Sequence, residues 1–245
     1  MKKLKNSIVI AIIFFLVGPV VHAQNAIEGK IENWTHGEVP LLFNDYISKV
    51  KITMGNINAD GKVIIPLDDT YLSNLKEAAI KAQENAPQGW ELKFNTIASS
   101  FSCSDEGLVY ENAEVILSGL PDLEVLSEDG STSYGYLYCT NSLQLSSWLQ
   151  LYGMVSAAKG YYLKWVFVED AAAIKGSCNM LNYTGNDDEN YMNTTVYDVK
   201  LQKGWNIIKY EITETFTSKE GKITPSKTEI TKIDEVPADV QWLLL

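Results

Sequence analysis

The sequence predicts a mainly β chain: two sandwich-like β domains with one clear helix at about residues 70–85. Three observations carry this. Short runs alternate apolar and polar residues, as half-buried strands do. Gly, Pro, Asn and Asp-Gly turns separate those runs at short intervals. Helical spacing is sustained only once. With 46% hydrophobic and 11% aromatic residues in 245, the chain has ample apolar material for ordered cores.

Residues 1–23 read as a secretory leader. Lys2, Lys3 and Lys5 form a basic start, residues 8–17 are an uncharged apolar run, and Val21-His22-Ala23 puts small residues at −3 and −1 of a cleavage point. Ten apolar residues are too few to span a bilayer, and no second long apolar run follows. The expected product is residues 24–245, exported, with no membrane span after cleavage. Three of the 20 basic residues fall in the leader, so 17 lysines face 31 acidic residues and the charge is −14.

The first domain is placed at residues 24–88. Residues 26–31 and 39–43 are strand-like, and residues 50–58 and 63–67 flank Asp60-Gly61 as a hairpin. Asn56-x-Asn58-x-Asp60-Gly61 also resembles the start of a calcium loop, but its twelfth position is Leu67 where a bidentate Glu is needed. Asp69 or Thr70 caps the helix, and Tyr71, Leu72, Leu75, Ala78, Ala79 and Ala82 share a face. Pro87 and Gly89 end it by Asn85.

Residues 89–245 form the C-terminal β part. Strands are expected at 91–95, 113–117, 123–126, 133–139, 161–168, 172–177, 194–201, 205–214 and 228–233. Residues 143–155 fit either period. The Lys/Thr/Glu-rich stretch 217–231 reads as an exposed edge strand with its loops, the charges discouraging edge pairing. Gly89-Trp90 and Gly204-Trp205 give a weak internal echo at an offset of 115.

Ile27-Glu-Gly-Lys-Ile-Glu-Asn-Trp34, the 58–66 hairpin, and residues 167–176 followed by Leu201-Gln-Lys-Gly-Trp-Asn206 form a familiar set. Together they resemble a group of uncharacterised secreted bacterial proteins, mostly of Bacteroidota and Deinococci. Those pair an I-x-G-x-I-x-N-W β domain with a second β domain containing G-W-N. The resemblance implies export and β architecture, and it carries over no catalytic residue.

Charge and residue inventory exclude more. An acidic chain without a single Arg is a poor partner for nucleic acid or anionic membranes. His36 is the only imidazole after residue 23, which rules out a multi-His metal site and reads as an exposed loop residue. Cys103, Cys139 and Cys178 contain no C-x-x-C pair; export allows one disulfide, and an odd number leaves a thiol over. No cofactor is expected.

Tyr134, Tyr136 and Tyr138 fall on one face of a strand, which suits either a platform for sugar rings or packing against a second sheet. Trp165, sharing a face with Leu163 and Phe167, is a core anchor, as Trp34, Trp148 and Trp205 are expected to be. Asp187, Asp188 and Glu189 form the densest acidic run, a candidate calcium site or simply a solvated loop. A carboxylate-pair glycosidase, drawing on Asp68, Asp105, Glu114, Glu169 and Asp170, is the enzyme class the inventory leaves open. No catalytic set is assembled by spacing. The reading is a non-catalytic exported binding or interaction module of the cell envelope, periplasmic or extracellular, whose ligand is unknown and whose candidate partners are a glycan or an envelope protein. The alternatives are a glycan hydrolase and a structural assembly subunit.

Overall fold

The computed structural model describes residues 26–45, 50–84, 86–87, 89, 91–185 and 187–245. The leader, Trp90 and Asn186 lie outside the described residues. The chain is mainly β, and its strands pair mostly antiparallel.

The N-terminal strands are β1 (Ala26–Lys30), β2 (Val39–Asp45), β3 (Val50–Ile57) and β4 (Lys62–Pro66). They pair in the order β1-β4-β3-β2. The Asp-Gly hairpin forms as expected. Asn58 N donates to the Lys62 carbonyl at 2.8 Å, and Gly61 takes a φ of +86°, a conformation that favours glycine. Helix α1 (Tyr71–Glu84) follows; Thr70 supplies the carbonyl for its first bond, from Asn74 N, and Leu72 and Ala79 are its buried face.

The remaining elements are α2 (Ile97–Ser100), β5 (Leu108–Glu111), β6 (Leu117–Gly119), β7 (Glu124–Leu126), β8 (Ser133–Thr140), α3 (Leu143–Gln150), β9 (Gly160–Val168), β10 (Ala172–Asn182), β11 (Tyr191–Leu201), β12 (Gly204–Thr217), β13 (Ile223–Ile233) and β14 (Gln241–Leu244). The sheet continues from β2 through β7, β8, β9, β12, β13, β11 and β10 to β5, while β14 joins β8 and β6 joins β9. Stretches 24–88 and 89–245 therefore share one hydrogen-bonded sheet.

Alternation along β9 explains the two cores. Tyr161, Leu163 and Trp165 enter the first cluster, with Ile27, Leu41, Ile57, Val63, Ile65, Val125 and Trp242. Val166 and Val168 point the other way, into the second, with Ile97, Phe101, Ile174, Tyr197, Val199, Ile208 and Ile230. In the first cluster β14 lies alongside β1. A Cβ at Gly29 would fall 2.1 Å from the Trp242 ring nitrogen, so only glycine lets the indole lie across β1.

Several expectations are corrected. Residues 91–95 alternate but are not a strand; they lead into α2, whose capping box pairs Thr96 with Ser99. The Gly-Trp echo fails with them, since Gly204-Trp205 opens a strand and 91–95 does not. Strands form at 108–111 and 117–119 rather than at 113–117. Residues 143–150 are helical, with Ser142 capping through Leu145 N. Finally, β13 is no edge: it lies between β12 and β11, antiparallel to the first and parallel to the second. Its charges serve a solvated face, where Lys227 pairs with Glu229 at 2.8 Å.

A candidate binding cleft between β8 and β9

Strands β8 and β9 touch through one ladder pair, Thr140–Tyr162. There the Tyr161 carbonyl accepts from Asn141 N, and its amide donates to the Asn141 side chain. Further along, the Trp165 carbonyl accepts from Leu120 N, and β6 covers residues 166–168. Leu163, two residues from each, has the same parity: its N–H completes the ladder pair by donating to the Cys139 carbonyl, and its C=O faces the gap. The partner side is analogous. Leu137 N donates to the Leu123 carbonyl and Asn141 N to Tyr161, so the backbone of Cys139 between them faces β9.

A cavity of about 280 Å³ occupies this gap. It touches Leu137, Tyr138 and Cys139 of β8 and Tyr162, Leu163, Lys164 and Trp165 of β9. Consecutive residues of a strand point to opposite faces. A cavity touching both parities on both strands therefore passes between them rather than lying on one face.

Its floor belongs to the first cluster: Ile27, Ile65, Leu137, Cys139, Trp165 and Trp242, the last two stacked at 5.9 Å. Its mouth holds Tyr138, Tyr152, Asp122 and Lys164. Lys164 Nζ lies 4.0 Å from Asp122 Oδ1, both well exposed, so the pair is loose and weakly stabilising. Tyr152, at φ +49° and 94% exposed, stands at the rim just beyond α3.

The titratable groups record the apolar setting. Burial pushes the Tyr138 hydroxyl up to about 12, with the Asp122 charge adding to it. Burial also raises the Cys139 thiol and the Tyr162 hydroxyl. The indole N–H of Trp165 is buried with no hydrogen-bond partner among the described residues. An orphaned donor of this kind costs about 1–3 kcal/mol.

The tyrosines expected on one face are split. A register shift in the β7–β8 ladder, with Val125 opposite Gly135 and Leu126 opposite Ser133, makes Tyr134 the extra residue of a bulge. Tyr134 joins Leu137 in the first cluster and stacks on the exposed ring of His36 at 4.1 Å. Tyr136 and Tyr138 stay on the opposite face, close enough for one to raise the other's pKa. They make no flat row of three. The bulge sits at Gly135, whose φ of +123° favours glycine; that glycine inside the strand was the signal in the sequence.

Asp187, Asp188 and Glu189 form a 3-10 turn. The Asp187 side chain lies outside the described ones, Asp188 is exposed, and Glu189 accepts from Lys219 N, tying the turn to the β12–β13 connection. Among the described residues, the group that brings metal-type ligand atoms together is Cys103, Asp105 and Cys178. Its two thiols are joined as a disulfide with Cα atoms 5.6 Å apart, which removes the thiolates a metal would need. Cys139 is the free cysteine.

The carboxylates considered for hydrolysis are engaged with other groups or exposed. Asp68 accepts from Thr70, Asp105 from Gly107 N and Asn179 N, Glu169 pairs with Lys76, Asp170 accepts from Ala171 N, and Glu114 is exposed. The carboxylate that lines the cleft is Asp122. Trp165 is the core anchor its strand pattern indicated, at 4% exposure. Among the described residues no helix is long and apolar enough to cross a membrane. No family model, curated protein or solved structure matches the chain.

Proposed function

We propose that the chain is an exported, non-catalytic binding protein that holds a small ligand in the seam between β8 and β9. The observation that carries this is the cleft itself: an aromatic and aliphatic floor, polar groups grouped at the mouth, and the Leu163 carbonyl and Cys139 amide turned into the gap. Small-molecule sites have this make-up, mostly apolar with a few placed polar groups. The leader pattern and the Cys103–Cys178 disulfide support an oxidising, exported setting.

A thermal-shift screen of the purified chain against small amphiphiles and soluble glycans tests it. A ligand at 100 times its Kd adds about 2.7 kcal/mol, a shift of several degrees. The shift is expected to vanish in Leu149→Trp, which fills the cleft from α3, while circular dichroism shows the fold retained. A ligand shift that survives in folded Leu149→Trp places binding elsewhere and ends the reading.

A further inference from the structure

The seam cavity also defines what it can hold. At about 30 Å³ per water in the liquid, its volume of about 280 Å³ accommodates a body of roughly nine non-hydrogen atoms. The floor side chains of Ile27, Ile65, Leu137 and Trp242 are apolar. A sugar seated there would leave ring hydroxyls unpaired, at the cost of desolvating each one. The charged side chains that line it are confined to the mouth, where one cation and one anion, Lys164 and Asp122, stand 4.0 Å apart.

That pairing discriminates by charge. A carboxylate head drawn to Lys164 meets Asp122 at close range, and an ammonium head drawn to Asp122 meets Lys164. A hydroxyl has neither conflict, because it accepts from the Lys164 ammonium and donates to the Asp122 carboxylate.

Given that the seam is the binding site, we infer that its ligand class is a small uncharged amphiphile: a compact apolar body, ring or branched chain, bearing one hydroxyl-type head. The body lies against the Trp165–Trp242 stack, and the head sits between Asp122 and Lys164 beside Tyr138.

Calorimetric titration of the full chain with 4-ethylphenol, 4-ethylbenzoate and 4-ethylbenzylamine tests the class, because these share a body and differ in head charge. 4-Ethylphenol is expected to bind up to about fivefold more tightly than either charged analogue, since a charged head meets one like charge at the rim whichever way it turns. Asp122→Asn and Lys164→Met alter exposed side chains and leave the core intact. The first is expected to tighten 4-ethylbenzoate about fivefold and the second 4-ethylbenzylamine about fivefold. Equal affinity for the three heads, a ranking unmoved by either rim variant, or no binding of any of them overturns the inference. The labelling rate of Cys139, on the floor, separates this from failure of the site. A charged or sugar ligand that slows labelling sinks the ligand class alone. A ligand that stabilises the chain without slowing labelling sinks the seam as the site.

Discussion

The two edges of β9 make opposite use of the same nine residues. Against β12 the ladder runs unbroken from Gly160–Ile212 to Val168–Gly204. Against β8 it ends after Thr140–Tyr162. The run from Leu120 to Leu123 crosses the gap, bonded to Trp165 at one end and Leu137 at the other, and holds the strands apart. The cysteines follow the same division. Cys103 and Cys178 staple the edge of the second cluster, while Cys139 sits unpaired on the cleft floor. A closed ladder gives a packed core, and an interrupted one leaves room for a ligand.

The largest expected effect sharpens the closed side. Replacing Cys103 and Cys178 together by Ala removes a crosslink spanning 75 residues and is expected to cost about 4 kcal/mol, read as a lowered denaturant midpoint. An unchanged midpoint would remove the staple from the account. Next comes the close approach of Gly29 to Trp242 in the first cluster. Gly29→Ala drives a methyl into the buried Trp242 ring and is expected to destabilise by about 1–3 kcal/mol, with a changed near-ultraviolet spectrum.

Overpacking then sets the clusters against each other. Ile230→Phe, in the second cluster, is expected to cost about 1–3 kcal/mol, whereas Leu137→Phe grows into the cleft and is expected to stay within about 0.5 kcal/mol of the parent. Equal penalties would mean the seam is as full as the core.

The smallest effect concerns pH. The Tyr161 hydroxyl donates to Asp239 and holds its carboxyl below the ordinary value. A lowered carboxyl pKa contributes stability that is present above the unfolded value of about 4 and is lost as pH falls through the folded one. Asp239→Asn should therefore be slightly less stable than the parent at neutral pH, the gap closing in acid. A gap that persists in acid would assign the effect to something other than this hydrogen bond.

What the sequence revealed depends on what each element needs. β1 and β4 were legible because one face of each is buried, so Ile27 and Val63–Ile65 imprint a two-residue period. β9 was legible because it alternates through Leu163 and is then a continuous apolar run, buried on both faces from Trp165 to Val168. α1 was legible from its apolar face and the Pro87 stop. Residues 91–95 carry the same alternation without becoming a strand, because periodicity reports which way side chains point and not whether a neighbour is there to pair. β14 passed unnoticed: Trp242-Leu-Leu-Leu has no alternation, and its pairing with β8 joins positions a hundred residues apart. β13 read as an edge because charge marks solvation, which an interior strand of an open face also has. Of the candidate site, Tyr138 and Trp165 were singled out from their strands. The seam joining them was not, since it arises where pairing stops and no residue pattern encodes that.

Amide hydrogen exchange along β8 tests the open seam most directly. The amides of Tyr138 and Thr140 point to β14 and that of Cys139 points into the gap, so alternate residues of one strand report the two edges. Strong protection is expected at Tyr138 and Thr140, fast exchange at Cys139, and slowing at Cys139 when a ligand fills the cleft. Equal protection of all three in the free protein would show that β8 and β9 are closed against each other and would contradict the binding cleft.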